Sequence, residues 1–173
     1  MRSTALARIV VGVVVERRKA KSPWLDFLWR PVSVLAGTPS AVPWTRISEQ
    51  GDAATFYAGE AAIELHRTET ASYRQNLSSG MPALWVVLRP VAANSSSPAF
   101  DILTVTADPS EGEALTGAGN NLVATVPMPA TIIETIDSFI AEHHVERPFN
   151  KRQRDRGEPQ MPGRHSDGRE NSK

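Results

Sequence analysis

Histidines and carboxylates are the residues of this sequence whose types could bind a metal ion. Two groups combine both residue types: His66 with Glu64, and His143 and His144 with Glu142 and Glu146. Adjacent histidines on a helix project about 100° apart and cannot easily face one ion, and the sequence contains no H-E-x-x-H motif. Histidines in the last turn of a helix also interact favourably with the carboxyl end of the helix dipole. We therefore predict no metal site.

The motifs that usually carry catalysis are missing from the sequence. The chain has no cysteine, which excludes disulfides, thiolate zinc sites and cysteine nucleophiles. No G-x-S-x-G elbow occurs among the many serines. The Gly-rich residues 117–121 follow a predicted helix and enter a predicted strand, which is the reverse of a phosphate-binding loop and indicates a helix stop and turn. The residues thus predict no catalytic site and no cofactor; they favour a non-catalytic protein without deciding the question.

A segment near the carboxyl end combines cationic side chains with one aromatic ring. Residues 145–173 contain 8 Lys/Arg and 5 Asp/Glu, a balance of +3, whereas residues 1–144 contain 11 and 14, a balance of −3. The segment can bind an acidic protein surface, with the ring as an anchor, or it can be a solvated tail. We predict binding of a protein partner, and the acidic remainder of the chain disfavours nucleic acid. The predicted partner-binding residues are Arg147, Phe149, Lys151, Arg152, Arg154 and Arg156.

Apolar runs and alternations predict about seven short strands. These are residues 9–15, 30–35, 60–66, 84–88, 100–106 and 122–126, with short hairpin segments near Ile47 and Phe56. Residues 9–15 and 84–88 are apolar at both alternating sets of positions, which predicts central strands covered on both faces. Trp24 and Trp29 could frame a ligand slot, but aromatic side chains of this kind more often pack in the core, which is our prediction.

Two short helices and one longer helix are predicted between and after these strands. Thr68 can cap a helix that runs to residue 77. Asp108 can cap a second helix that begins at Pro109, with Glu111 able to reach back to the cap. The final helix opens after Pro129 and has an apolar stripe formed by Ile132, Ile133, Ile136, Phe139, Ile140 and His143.

These elements predict an α+β fold. Most links between strands are too short for helical crossovers, so the sheet should be mainly antiparallel, with the helices packed on one side. We expect residues 8–145 to form a single domain and residues 146–173 to form a disordered basic tail.

The amino terminus does not have the pattern of a signal peptide. The apolar run 9–15 is followed by four charged residues, 16–19, instead of a small-residue cleavage site. No other stretch approaches the roughly 20 apolar residues that a membrane span requires. We therefore expect a cytoplasmic protein.

Six separated motifs are distinctive: VGVVVERR, SPWLDFLWRPVSVLAG, ELHRTETASYRQNL, LWVVLRP, VPMP and HHVERPFNKRQRDR. They resemble the motifs of a bacterial family, the domain-of-unknown-function family numbered 3305. They occur in the same order and span about residues 8–156. The resemblance implies no catalytic residue, since no activity is established for the family.

The resemblance does imply a biological context. Members are similar to proteins encoded beside formate dehydrogenase and other molybdoenzyme maturation genes, which implies a non-catalytic accessory protein that assists maturation or assembly of a molybdenum-dependent formate dehydrogenase. The alternative is a nucleotidyltransferase-like enzyme of molybdopterin-guanine dinucleotide biosynthesis. The Gly-rich nucleotide loop of such enzymes is matched only in part by residues 35–40, where Thr38 replaces the second glycine.

Overall fold

The computed structural model describes residues 4–92 and 100–145. The strands are β1 (Ala7–Lys19), β2 (Phe27–Ala36), β3 (Thr45–Gln50), β4 (Ala53–Leu65), β5 (Ala83–Pro90), β6 (Phe100–Thr106) and β7 (Leu122–Pro127). The α-helices are α1 (Thr70–Leu77), α2 (Pro109–Thr116) and α3 (Ala130–His143), and a 3-10 turn (Arg67–Glu69) precedes α1. The predicted carboxyl-terminal tail, residues 146–173, lies outside the described residues.

The strands form two antiparallel sheets, which confirms the predicted α+β class. One sheet has the order β2-β1-β4-β3 and the other has the order β6-β5-β7. Every pairing between named strands is antiparallel. The prediction of a single sheet has to be refined, because nothing local in a strand's sequence says which other strands it pairs with.

One hydrophobic core connects the two sheets and the helices. Val11, Val13 and Val15 on β1 are fully buried, and they share this core with Leu84, Val86 and Leu88 on β5. Residues at alternate positions of a strand point to the same face, so each sheet turns one apolar face toward the other. The core is therefore a layer between sheets of unequal length.

The two predicted central strands differ in how their outer faces are covered. Val87 on β5 is fully buried, and α2 packs on its neighbour Trp85, whose ring lies against Gly112. On β1, Val14 is buried but Val10 remains 45% exposed. The prediction of cover on both faces therefore holds for β5 and only partly for β1.

The apolar stripe of α3 packs into the core as predicted. Ile132, Ile136, Phe139 and Ile140 are all buried. Helix α1 contributes Tyr73, whose ring lies 6.3 Å from that of Phe139. The α1 prediction was wrong in one detail: Thr68 does not cap the helix, since its hydroxyl donates to the Glu69 carboxylate at 3.1 Å.

The predicted start of α2 is confirmed, with a change in how Glu111 acts. The Asp108 side chain accepts a hydrogen bond from the Ser110 N–H at 2.9 Å. Glu111 does not reach the cap directly, because it accepts from the Thr106 hydroxyl at 2.7 Å. That hydroxyl oxygen in turn accepts from the Asp108 N–H at 3.1 Å. Thr106 therefore joins the two halves of the capping box.

Candidate functional site

The six predicted partner-binding residues lie outside the described residues. They are Arg147, Phe149, Lys151, Arg152, Arg154 and Arg156. The structure describes the stretch of chain that leads to them. Helix α3 ends at His143, and His144 and Val145 follow, with Val145 70% exposed.

A cleft of about 820 Å³ lies where this end of α3 meets the start of α1. Its lining residues are Arg67, Thr68, Thr70, Ala71, His143, His144 and Val145. The first four belong to the 3-10 turn and the first turn of α1, and the last three are the end of α3 and the two residues beyond it. The packing of α1 against α3 thus places this cleft beside the entry to the basic segment.

His144 is fixed at one wall of the cleft by two polar contacts. Its Nδ1 lies 3.0 Å from the Thr70 hydroxyl, and its Nε2 lies 3.5 Å from an Arg74 guanidinium nitrogen. A guanidinium only donates, so Nε2 must be the acceptor and Nδ1 must carry the hydrogen that is donated to Thr70. The Thr70 hydroxyl then donates to the Arg67 carbonyl at 3.4 Å.

The other histidines discussed above are held by separate contacts. The His143 ring packs against Phe139 with 4.6 Å between centroids, and its Nε2 lies 3.7 Å from the Glu142 carboxylate. His66 Nε2 lies 3.8 Å from the Glu64 carboxylate. Within residues 4–92 and 100–145, no three metal-ligating side chains come together.

Tyr73 links the end of β4 to α1 behind this cleft. Its hydroxyl accepts from the His66 N–H at 3.0 Å and donates to the Glu64 carbonyl at 3.5 Å. Burial raises the pKa of Tyr73 to about 12, and the carboxylates of Asp108, Glu69 and Glu111 push it in the same direction, while the hydrogen bond from His66 opposes them. The Tyr73 side chain therefore remains a neutral donor over the ordinary pH range.

A second group of residues lies on the four-stranded sheet, away from the cleft, and no motif in the sequence marks it as a site. Four aromatic rings contact one another there: Trp29, Trp44, Phe56 and Phe100. The distances from the Trp29 centroid to the other three are 5.8, 5.8 and 6.0 Å. We call these four residues the aromatic cluster.

Two arginines lie on the aromatic cluster. The Arg17 guanidinium carbon is 4.4 Å from the Phe27 centroid, 5.1 Å from that of Phe56 and 5.8 Å from that of Trp29. The Arg46 guanidinium carbon is 5.9 Å from the Phe56 centroid. Arg17 continues the alternation of Val11, Val13 and Val15, so its direction was implicit in the sequence. The sequence did not indicate which aromatic rings Arg17 contacts, because those rings come from other strands.

The prediction that Trp24 and Trp29 are core residues is confirmed only for Trp29. Trp29 is partly buried and packs against the core. Trp24 is 89% exposed in the turn between β1 and β2, and Leu25 beside it is 55% exposed. The segment before β2 is a turn, and β2 begins earlier than the predicted residue 30, at Phe27.

Comparison with protein families gives one match. The family model DUF3305, whose description is protein of unknown function, matches residues 10–153. The chain belongs to this family. The match confirms the resemblance found from the motifs, and the family assigns no activity. Comparison with curated proteins and with solved structures finds no match. Among the described residues, no helix is both long and apolar enough to cross a membrane.

Proposed function

We propose that this protein is a non-catalytic, cytoplasmic accessory protein that binds a protein partner through residues 147–156. Its proposed role is to assist maturation or assembly of a molybdenum-dependent formate dehydrogenase, the context implied by the resemblance to the family. The observation that carries the proposal is the cleft between α1 and α3. Its wall includes Val145, after which the chain continues directly into the basic segment.

The chemistry of the segment determines the kind of surface that it fits. Arginine presents a planar fork of donors that matches a carboxylate, and lysine adds a positive charge. Phe149 can serve as an apolar anchor among these cations. Arg67 adds a further cationic side chain on the cleft wall. The partner surface should therefore be acidic, with an apolar recess for the Phe149 ring.

Measuring the binding of the purified chain to a purified molybdenum-dependent formate dehydrogenase tests this proposal. Two variants are compared with the intact chain: one that ends after Val145, and one in which Arg147, Lys151, Arg152, Arg154 and Arg156 are all replaced by Gln. We expect both to bind at least about tenfold more weakly, because several charge-assisted contacts are lost.

A matched control changes cations later in the same tail. Arg164→Gln, Arg169→Gln and Lys173→Gln together remove three positive charges and leave residues 147–156 intact. This variant should bind like the intact chain. If the chain that ends after Val145 binds as tightly as the intact one, the proposal is wrong. Turnover of GTP by the intact chain would instead favour the enzyme of molybdopterin-guanine dinucleotide biosynthesis.

A further inference from the structure

The four-stranded sheet extends beyond the three-stranded sheet that packs on it. Strands β1 and β4 have 13 residues each, whereas β5, β6 and β7 have 8, 7 and 6. At roughly 3.3 Å per residue, the longer strands span roughly 40 Å and β5 about 26 Å. Among the described residues, Phe100 of β6 reaches the inner face of the longer sheet at Trp29, with 6.0 Å between centroids, whereas Phe27 at the start of β2 is 41% exposed. This end of the inner face carries Arg17, Phe27, Trp29, Trp44 and Phe56, which we call the Arg17 platform.

The strand register explains why these residues meet. Arg17 lies opposite Trp29 on β2, and Lys19 lies opposite Phe27. Val15 lies opposite Phe56 on β4. Paired residues share a face, so Arg17 and Lys19 extend the face whose earlier positions form the core. The platform is thus a continuation of the hydrophobic core in which cations replace valines.

Arg17 differs from the other arginines of this region in its partners. On the opposite face, Arg18 and Arg30 each lie 3.5 Å from the Glu16 carboxylate. Arg46 pairs with Glu49 at 2.8 Å. Within residues 4–92 and 100–145, no carboxylate lies within ion-pair distance of Arg17, which contacts three aromatic rings instead. Stacking leaves the edge of a guanidinium free to bind an oxyanion in its plane.

Backbone geometry fixes the rim of the platform. Trp44 has a φ of 68°, in the left-handed region that a bulky residue rarely adopts. Such a conformation costs on the order of 1–3 kcal/mol and persists only where the surroundings impose it. Here the Trp44 N–H donates to the Tyr57 carbonyl, and the ring packs edge-on against Trp29. The rings around Arg17 are therefore positioned before any ligand arrives.

The nearby charges favour a short acidic polypeptide over a lipid surface or a nucleic acid. The Lys19 N–H donates to the Asp52 carbonyl at 2.9 Å, so the two hairpin turns lie side by side. Asp26 and Asp52 are exposed at this end of the sheet. Their negative charges would repel an anionic bilayer that approached the platform. Residues 1–144 carry a balance of −3, which repels a long polyanion. A short polypeptide with one carboxylate beside an apolar side chain can be bound by the local positive charge of Arg17 and Lys19 alone.

We propose that the Arg17 platform binds an acidic and apolar segment of a protein partner. A carboxylate of that segment binds the Arg17 guanidinium, and a neighbouring apolar side chain packs on the exposed part of Phe27, which is 41% accessible. This site does not depend on residues 147–156. The two sites lie toward opposite ends of β4, since Phe56 is nine residues before Leu65, where the strand ends, and the lining of the cleft begins at Arg67.

The test uses the intact chain and a short fluorescein-labelled peptide in which glutamate and phenylalanine alternate, with fluorescence polarisation as the readout. Arg17→Gln should weaken binding about tenfold or more. Arg18→Gln is the matched control, because it makes the same change one position along β1 but on the opposite face, and it should leave binding within about twofold. The same peptide with glutamine in place of glutamate should bind as weakly as the acidic peptide binds the Arg17→Gln chain.

Two further variants are compared with the intact chain in the same binding measurement. Phe27→Ala, a change at a partly exposed position, should also weaken binding, and it replaces Arg17→Gln if that variant does not fold. The chain that ends after Val145 should bind the peptide like the intact chain, which separates this site from residues 147–156. Equal binding by the Arg17→Gln and Arg18→Gln chains, or no binding by the intact chain, overturns the inference. Arg17-dependent binding of oligothymidylate or phosphatidylserine vesicles without peptide binding would also overturn it.

Discussion

At the scale of single residues, Tyr73 shows how burial and hydrogen bonding set a protonation state. The side chain is 2% exposed, and burial raises its pKa to about 12, compared with about 10 in an unfolded chain. The folded chain therefore retains this proton between about pH 10 and pH 12, where the unfolded chain loses it. The contribution of Tyr73 to the free energy of unfolding is complete below about pH 10 and falls as pH rises toward 12.

Replacing Tyr73 by Phe tests this linkage. Near neutral pH, Tyr73→Phe should lower the free energy of unfolding by about 1 kcal/mol, because the partly buried His66 N–H loses its acceptor. Above about pH 10 the intact chain loses stability that the variant cannot lose, so the difference between them should shrink by roughly 1 kcal/mol between about pH 9 and about pH 11 and come close to zero. Denaturant unfolding at about pH 9 and about pH 11 measures it. An unchanged difference would mean that the Tyr73 proton is not linked to folding.

At the scale of elements, α2 depends on a close approach to the three-stranded sheet. A Cβ atom placed on Gly112 would lie 2.1 Å from the Trp85 ring, so the helix can sit on β5 only because this position has no side chain. Alanine favours a helix over glycine by roughly 1 kcal/mol. The clash with a packed indole outweighs that gain, since overpacking typically costs about 1–3 kcal/mol.

We therefore expect Gly112→Ala to lower the free energy of unfolding by about 1–3 kcal/mol, despite the better helix propensity of alanine. Gly117→Ala is the control, because Gly117 ends the same helix and a Cβ there meets nothing within 4 Å. That variant should remain within about 0.5 kcal/mol of the original chain. Denaturant unfolding of both variants measures the effects, and a stabilised Gly112→Ala protein would show that α2 does not pack on Trp85 in solution.

At the scale of the whole molecule, one hydrophobic core serves both sheets. Ile136 on α3 is fully buried in that core, together with residues of β1, β4, β5 and β7. Buried Asn76 on α1 adds polar links, since its side chain bonds the Ala83 carbonyl at 2.8 Å and the Ala107 carbonyl at 2.9 Å. Within residues 4–92 and 100–145, both sheets contribute buried side chains to this one core, so the two should unfold together.

Ile136→Ala should lower the free energy of unfolding by about 2–5 kcal/mol through the lost burial and the cavity that it leaves. Backbone circular dichroism and tryptophan fluorescence should report the same transition midpoint before and after the change. Ile47→Ala is the control, because Ile47 is 55% exposed on the edge strand β3, and its effect should stay within about 0.5 kcal/mol. Two separated transitions would show that the sheets fold independently.

The sequence by itself determined most of the local structure. The valine-rich runs gave strands because branched side chains favour an extended backbone, Asp108 and Pro109 marked the start of α2, and the spacing of isoleucines in α3 identified its buried face. Each of these signals acts between residues that are a few positions apart. They were sufficient for the α+β class, and the six quoted motifs were sufficient for the family.

Only the tertiary structure decided how the strands divide into two sheets and which side chains surround Arg17 on the inner face of the longer one. Arg17, Trp29, Trp44 and Phe56 come from β1, β2, the loop before β3, and β4, and no spacing in the sequence relates them. They meet because strand register brings residues that are distant in sequence side by side. The alternation of residues alone places Arg17 on the inner face. It does not indicate which aromatic rings Arg17 contacts, nor that no carboxylate among the described residues forms an ion pair with it.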